Sequence, residues 1–304
     1  MGSKTVKSEN SKLVIAISSR ALFNLDHSHK IFKEEGIEAY AKHQQENEHV
    51  VLEPGVGFTL VKKLLKLNSK KTPIDVILLS RNSADTGLRI FNSIEHYGLN
   101  ISRAAFTRGE STHPFVGAFE ADLFLSSNYN DVQKALQSGY AAASILESKS
   151  NNSHPSQLRI AFDGDAVIFS DEAERIFQEK GLEAFHENEI RSEKIELKAG
   201  PFKSFLVSLQ KIQSTFPEEN NPIRTALVTA RSAPSHKRVI HTMREWGIRI
   251  DESFFLGGLD KGVFLRQFAA DIFFDDQQQH CLSLIHISEP TRQEAIAYAV
   301  VWLK

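Results

Sequence analysis

Short apolar runs of strand length recur along the chain, separated by stretches in which apolar residues return every three or four positions. In the second half the runs fall at 159–163, 225–229 and 271–275, and helical spacing marks Glu172–Lys180, Phe202–Gln213 and Ser235–Trp246. Gly181 and Gly247 stand where helix stops are expected. Strands alternating with amphipathic helices predict an α/β fold, a parallel sheet with helices on both faces. In such sheets chemistry gathers at the carboxyl ends of the strands.

The pattern occurs twice. "IAISSRALF" (15–23) matches "IAFDGDAVI" (160–168), "IFKEEGIEAY" (31–40) matches "IFQEKGLEAF" (176–185), and "PGVGFTLVKKLLKLN" (54–68) matches "AGPFKSFLVSLQKIQ" (199–213). The series continues with 73–83 on 222–232, 89–101 on 238–250 and 119–127 on 268–276, after one four-residue shift. Six blocks in one order mark an internal duplication, each repeat being about the size of an ordinary domain. The expected boundaries are 12–146 for the first unit, the polar segment 147–157 as linker, and 158–281 for the second unit.

Composition narrows the class. A net charge of -2 gives no basic footprint for nucleic acid or anionic lipid. The apolar runs are too short to span a bilayer, and the polar N-terminus lacks a signal-peptide core. The single cysteine, Cys281, excludes an internal disulfide framework and fits a reducing compartment, so a cytoplasmic location is expected. Neither nucleic acid nor a membrane is therefore expected as a partner; a homo-oligomer is left open.

Acidic and hydroxyl residues collect at the predicted strand ends of the second repeat. Asp163 and Asp165 leave one strand, Thr229 ends another, and Asp275-Asp276 end a third. Around a phosphate monoester such a set has defined uses. A carboxylate can attack phosphorus, provided that a cation such as Mg²⁺ stands between the two negative charges. Asp163 with Asp275 or Asp276 can hold that ion, the second carboxyl can handle the proton, and Thr229 and Lys261 can grip phosphoryl oxygens.

The ordered set resembles the haloacid dehalogenase (HAD) superfamily of phosphohydrolases: Asp163-Gly164-Asp165, Thr229 in "ALVTAR", Lys261 in "GGLDKG" and Asp275-Asp276 in "DIFFDDQ". "AFDGDAVIFSDEAE", "LVTARSAPSHKRVI" and "FFLGGLDKG", with the N-terminal "AISSRALF" and "NSIEHYGLNISR", resemble the cytosolic 5′-nucleotidase type I family from Leu13 to Cys281. That resemblance implies tandem HAD-like (Rossmannoid) domains, with a small helical cap from 170–221 on the C-terminal one. It also implies Mg²⁺-dependent hydrolysis of nucleoside 5′-monophosphates, AMP favoured, through an aspartyl-phosphate. Asp163 would be nucleophile and metal ligand, and Asp165 general acid/base with its backbone carbonyl on the metal. Thr229 and Lys261 would bind phosphate, and Asp275 or Asp276 would complete the metal site. The alternatives are a HAD phosphatase for another small phosphomonoester, or a nucleotide-binding regulatory protein with vestigial activity. Arg231 is weighed between a nucleotide contact and a salt bridge. Phe185, His186 and Phe202 in the cap segment are read as core.

In the first repeat Asp163 corresponds to Ser18, Asp165 to Arg20, Lys261 to Thr112 and Asp275-Asp276 to Ser126-Ser127; only Thr229 keeps its type, as Ser80. The first unit is thus expected to be a degenerate, non-catalytic support. A nucleotide bound there without hydrolysis would meet Arg20, Arg81 and Ser126. Finally, "LSLIHISEPTR" (282–292) resembles an in-frame translation of a sequencing adapter, so 282–304 is expected to be a non-native tail.

Overall fold

The computed structural model describes residues 12–69, 73–146, 154, 156–276 and 297–300. The first repeat supplies β1 (Leu13–Ser18), β2 (Ile74–Ser80), β3 (Arg103–Phe106), β4 (Leu123–Ser126) and β5 (Ala142–Leu146). The second supplies β6 (Leu158–Phe162), β7 (Ile223–Thr229), β8 (Glu252–Phe255) and β9 (Ile272–Asp275), and β10 (Ala297–Val300) follows. The strand order is β3-β2-β1-β4-β5-β10-β9-β6-β7-β8. Pairing is parallel within β3-β2-β1-β4-β5 and within β8-β7-β6-β9-β10, and the two sets meet antiparallel at β5–β10.

Both sets therefore have the same α/β wiring: the first strand central, two strands added on one side, and the chain crossing over to add two on the other. The inner strands read as nearly continuous apolar runs because helices cover both faces. All seven residues of β2 are buried, as are six of the seven in β7. Under the second set Phe162, Phe202, Phe205 and Phe274 pack ring against ring; Phe202 is core, as expected from sequence.

The predicted strand ends shift by a residue or two. One helix differs more. Gly181, at φ +81°, does not end its helix but kinks it, and helical structure runs on from Glu172 to Arg191. The chain resumes the helix because the next turns bury Phe185 and Glu189. Gly36, at φ +89°, does the same in the helix Asp26–Glu46. Gly247, at φ +62°, closes the helix His236–Glu245 as expected.

The two sets pack through reciprocal contacts. Lys63 Nζ reaches Asp271 Oδ1 at 2.5 Å, while Ser208, which the duplication aligns with Lys63, donates to Asp122, the counterpart of Asp271, at 2.9 Å. The other oxygen of each aspartate accepts a strand N–H, from Val14 onto Asp122 and from Arg159 onto Asp271. Residue i of one half thus meets residue j of the other, and j meets i, as at a symmetric dimer interface. Most of the expected linker, 147–153 and 155, lies outside the described residues, as do 277–296 and 301–304. Of the segment from 282, Ala297–Val300 takes beside β9 the place that β5 takes beside β4.

Candidate active site

Asp163 follows β6 directly, and its backbone N–H is held by Phe274 O of β9 at 2.8 Å. Here, between β6 and β9, neighbouring strands lead their crossovers to opposite sides, the position at which open α/β sheets place their ligands. The chain then makes a tight turn over Gly164–Ile168, with Ala166 in the left-handed region at φ 60°. Non-glycine residues seldom adopt that conformation, and this one is buried where the turn swings Asp165 away from Asp163. Gly164 lies close under β7: a Cβ there would stand 3.1 Å from Thr229 Oγ1.

The acids predicted from three strand ends do meet. One carboxylate oxygen each from Asp163, Asp275 and Asp276 lies within 4.8 Å of the other two. Lys261, the first residue of the helix Lys261–Phe268, projects between them, its Nζ 2.6 Å from Asp163 Oδ2 and 3.0 Å from Asp275 Oδ2. Asp163 Oδ1 accepts from Gly164 N at 2.7 Å. Thr229 is buried at the end of β7, where its hydroxyl accepts from Arg231 N at 3.2 Å.

The electrostatics follow from crowding two buried acids and the half-buried Asp276 around one buried ammonium. Burial pushes the Asp163 carboxyl up to about 7; Lys261 opposes this, and the charges of Asp275 and Asp165 add to it. Burial also pushes Asp276 up to about 8, with the charges of Asp275, Asp163 and Glu174 adding. For Lys261 burial acts downward, but the two carboxylates outweigh it and hold the ammonium above its ordinary value. Among the described residues Asp276 Oδ1 is buried with no hydrogen-bond partner. A buried, unpaired carboxylate oxygen is costly. Three clustered acids with one orphaned oxygen fit a hard divalent cation, which prefers oxygen ligands.

Asp165 does not join this cluster through its side chain. Arg231 grips it by both oxygens, Nε to Oδ2 at 2.8 Å and Nη2 to Oδ1 at 2.7 Å. Arg231 Nη1 also donates to Glu189 Oε2 at 2.6 Å, and Arg238 Nη1 donates to Glu189 Oε1 at 2.8 Å. Sequence reasoning left Arg231 open and did not find Glu189 or Arg238. Glu189 lies on the far part of the kinked helix, and no spacing rule links it to the strand ends. Glu174, on the same helix, carries a carboxyl raised chiefly by burial and then by the charge of Asp165.

In the first set of strands the corresponding positions are otherwise engaged. Arg20 pairs with Asp26 at 3.1 Å, Ser126 accepts from Asn128 N, and Arg81 forks onto the buried Asp131 at 2.9 and 2.7 Å. Thr112 and Ser111 donate to the same aspartate. Among the described residues, no cluster of three metal-ligating side chains occurs there.

A model of the 5′-nucleotidase family matches residues 5–297. Cytosolic 5′-nucleotidase 1B of Homo sapiens is 40% identical over 282 residues, 88% of this chain and 46% of that protein. The chain thus spans about half the length of that curated relative. No solved structure matches it.

Proposed function

Because this chain belongs to the 5′-nucleotidase family, we propose that its second half hydrolyses nucleoside 5′-monophosphates, AMP favoured, to nucleoside and phosphate in a Mg²⁺-dependent reaction. The observation that carries this reading is the convergence of Asp163, Asp275 and Asp276 around Lys261 at the carboxyl ends of β6 and β9. We read the two strand sets as tandem HAD-like domains and the helix Glu172–Arg191 as the cap of the second.

Asp163, Asp275, Asp276 and the backbone carbonyl of Asp165 would hold the ion; the orphaned Asp276 Oδ1 supports a direct role for Asp276. When bound, Mg²⁺ supplies positive charge that lets a carboxylate and a phosphate dianion approach. An oxygen of Asp163 attacks phosphorus, and the bond from phosphorus to the 5′-oxygen breaks. Asp165 delivers a proton to the departing 5′-oxygen, then takes one from the water that opens the aspartyl-phosphate. Lys261 and Thr229 neutralise and orient the phosphoryl oxygens. The first half provides support through the reciprocal Lys63 and Ser208 contacts.

Phosphate release from a panel of nucleoside monophosphates, with Mg²⁺ and with chelator, tests the reading. The expected result is AMP turnover that chelation abolishes. Preference for a sugar phosphate, or tight AMP binding without turnover, overturns it.

A further inference from the structure

The ionic chain behind Asp165 has an internal control in the first half. The duplication aligns Asp165, Phe185, Glu189, Arg231 and Arg238 with Arg20, Tyr40, Gln44, Asn82 and Arg89. Two contacts are the same in both halves. Arg238 Nε donates to Ile195 O as Arg89 Nε donates to Val50 O, each at 2.8 Å. Thr242 accepts from Leu197 N as Ser93 accepts from Leu52 N. These shared bonds tie the loop that follows each kinked helix to the helix His236–Glu245 in the second half and Leu88–His96 in the first, so they belong to the fold.

The arginine is shared, but the charges beyond it are not. From Arg89 the first half continues to the strand end through neutral side chains: Arg89 to Gln44 at 3.3 Å, Gln44 to Tyr40 at 3.0 Å, and Tyr40 to Asn82 at 2.8 Å. Asn82 has no carboxylate to hold at position 20. The second half joins the same elements through Arg238, Glu189 and Arg231, with both side chains of the Glu189–Arg231 pair at 2% exposure or less. Burying such charges is costly, and a neutral packing of the same shape serves stability at least as well. In the first half Gln44, Tyr40 and Asn82 make that link without a carboxylate, and the ionic version occurs where Asp165 stands at its end.

We propose that Glu189 and Arg231 are positioning residues for Asp165, so that the seating of the kinked helix fixes where the acid/base carboxyl points. This rests on the phosphatase reading above. Arg231's fork sets the plane of the carboxylate and leaves the outer lone pair of each oxygen for the substrate. Glu189 fixes Arg231 in turn, and Phe185 covers the guanidinium, its ring 5.5 Å from Cζ.

A departing nucleoside needs a proton on its oxygen, whereas a nitrophenolate does not. The test compares AMP with p-nitrophenyl phosphate, on the full chain with saturating Mg²⁺. The variants are Glu189→Gln, and Glu189→Gln with Arg231→Asn, which copies the neutral residues of the first half; Asp165→Asn is the reference. The expected result is a kcat/KM on AMP reduced about 100-fold, the low end for losing a proton donor; kcat/KM reads only the steps up to leaving-group departure, so the opening of the aspartyl-phosphate, common to both substrates, does not enter. The loss of kcat/KM on the aryl ester should be at least about tenfold smaller. Equal losses on both substrates, or no loss on AMP, overturn the proposal. If wild type is active but Asp165→Asn shows no leaving-group selectivity, the inference falls and the phosphatase reading stands. If wild type hydrolyses neither ester, both fall.

Discussion

Lys261 Nζ lies 2.6 Å from Asp163 Oδ2, although 98 residues separate the two along the chain. The ammonium also touches Asp275, so one cation serves two buried acids. That arrangement sets the consequences of removing a charge.

Replacing Asp163 with Asn removes the proposed nucleophile while leaving Lys261 its contact with Asp275. Turnover should fall by about 10⁴-fold or more, while the folded state should be no less stable, since one of three crowded acids has been neutralised. Steady-state kinetics and a thermal melt of the same preparation check both parts.

The raised carboxyls make the ion-free protein sensitive to pH. Asp163 and Asp276 keep their protons up to about 7 and about 8, whereas unfolded carboxyls release theirs near 3.8. Across that window the folded chain binds more protons than the unfolded one, so its stability falls as pH rises. Mg²⁺ should bind more tightly as the acids deprotonate and should reverse the loss. Melts at pH 5 and pH 8, each with chelator and with Mg²⁺, are expected to show a Tm that drops with pH only in chelator.

The reciprocal interface predicts rescue across the two halves. Lys63 is 6% exposed and donates to Asp271, His154 O and Gln157 O. Lys63→Ser should cost about 3 kcal/mol, the low end for breaking a buried pair from one side. Adding Ser208→Lys places an ammonium opposite Asp122 and should recover about half of the loss. Denaturant unfolding of the two single variants and the double variant measures this; a double variant no more stable than Lys63→Ser alone would count against the pseudo-symmetric packing.

Gly200 lies against the end of the turn that carries Asp165. A Cβ there would fall 2.4 Å from both Phe169 O and Val167 O, and backbone atoms cannot step aside as a flexible side chain would. Gly200→Ala should destabilise by about 2–3 kcal/mol and lower kcat, because Val167–Phe169 continues the turn that carries Asp165. Its counterpart Gly55→Ala, with a Cβ 2.8 Å from Ala21 O, should destabilise while changing kcat less. Paired melts and rates separate the two effects.

The sequence by itself determined the periodicities, and with them the α/β class, the internal repeat and the strand ends on which Asp163, Thr229 and Asp275-Asp276 sit. These signals are local: an apolar run reports its own burial, and an acid at its exit reports a strand end. Only the tertiary structure decided that β5 and β10 meet antiparallel, that Gly181 kinks a helix instead of closing it, and that Asp165 turns from the acidic cluster toward Arg231. It also decided that Glu189 reaches that pair from a helix whose sequence carries no motif. Such contacts depend on how separate elements dock, and docking is settled by the shape and charge of surfaces distant in sequence, which no window along one chain contains.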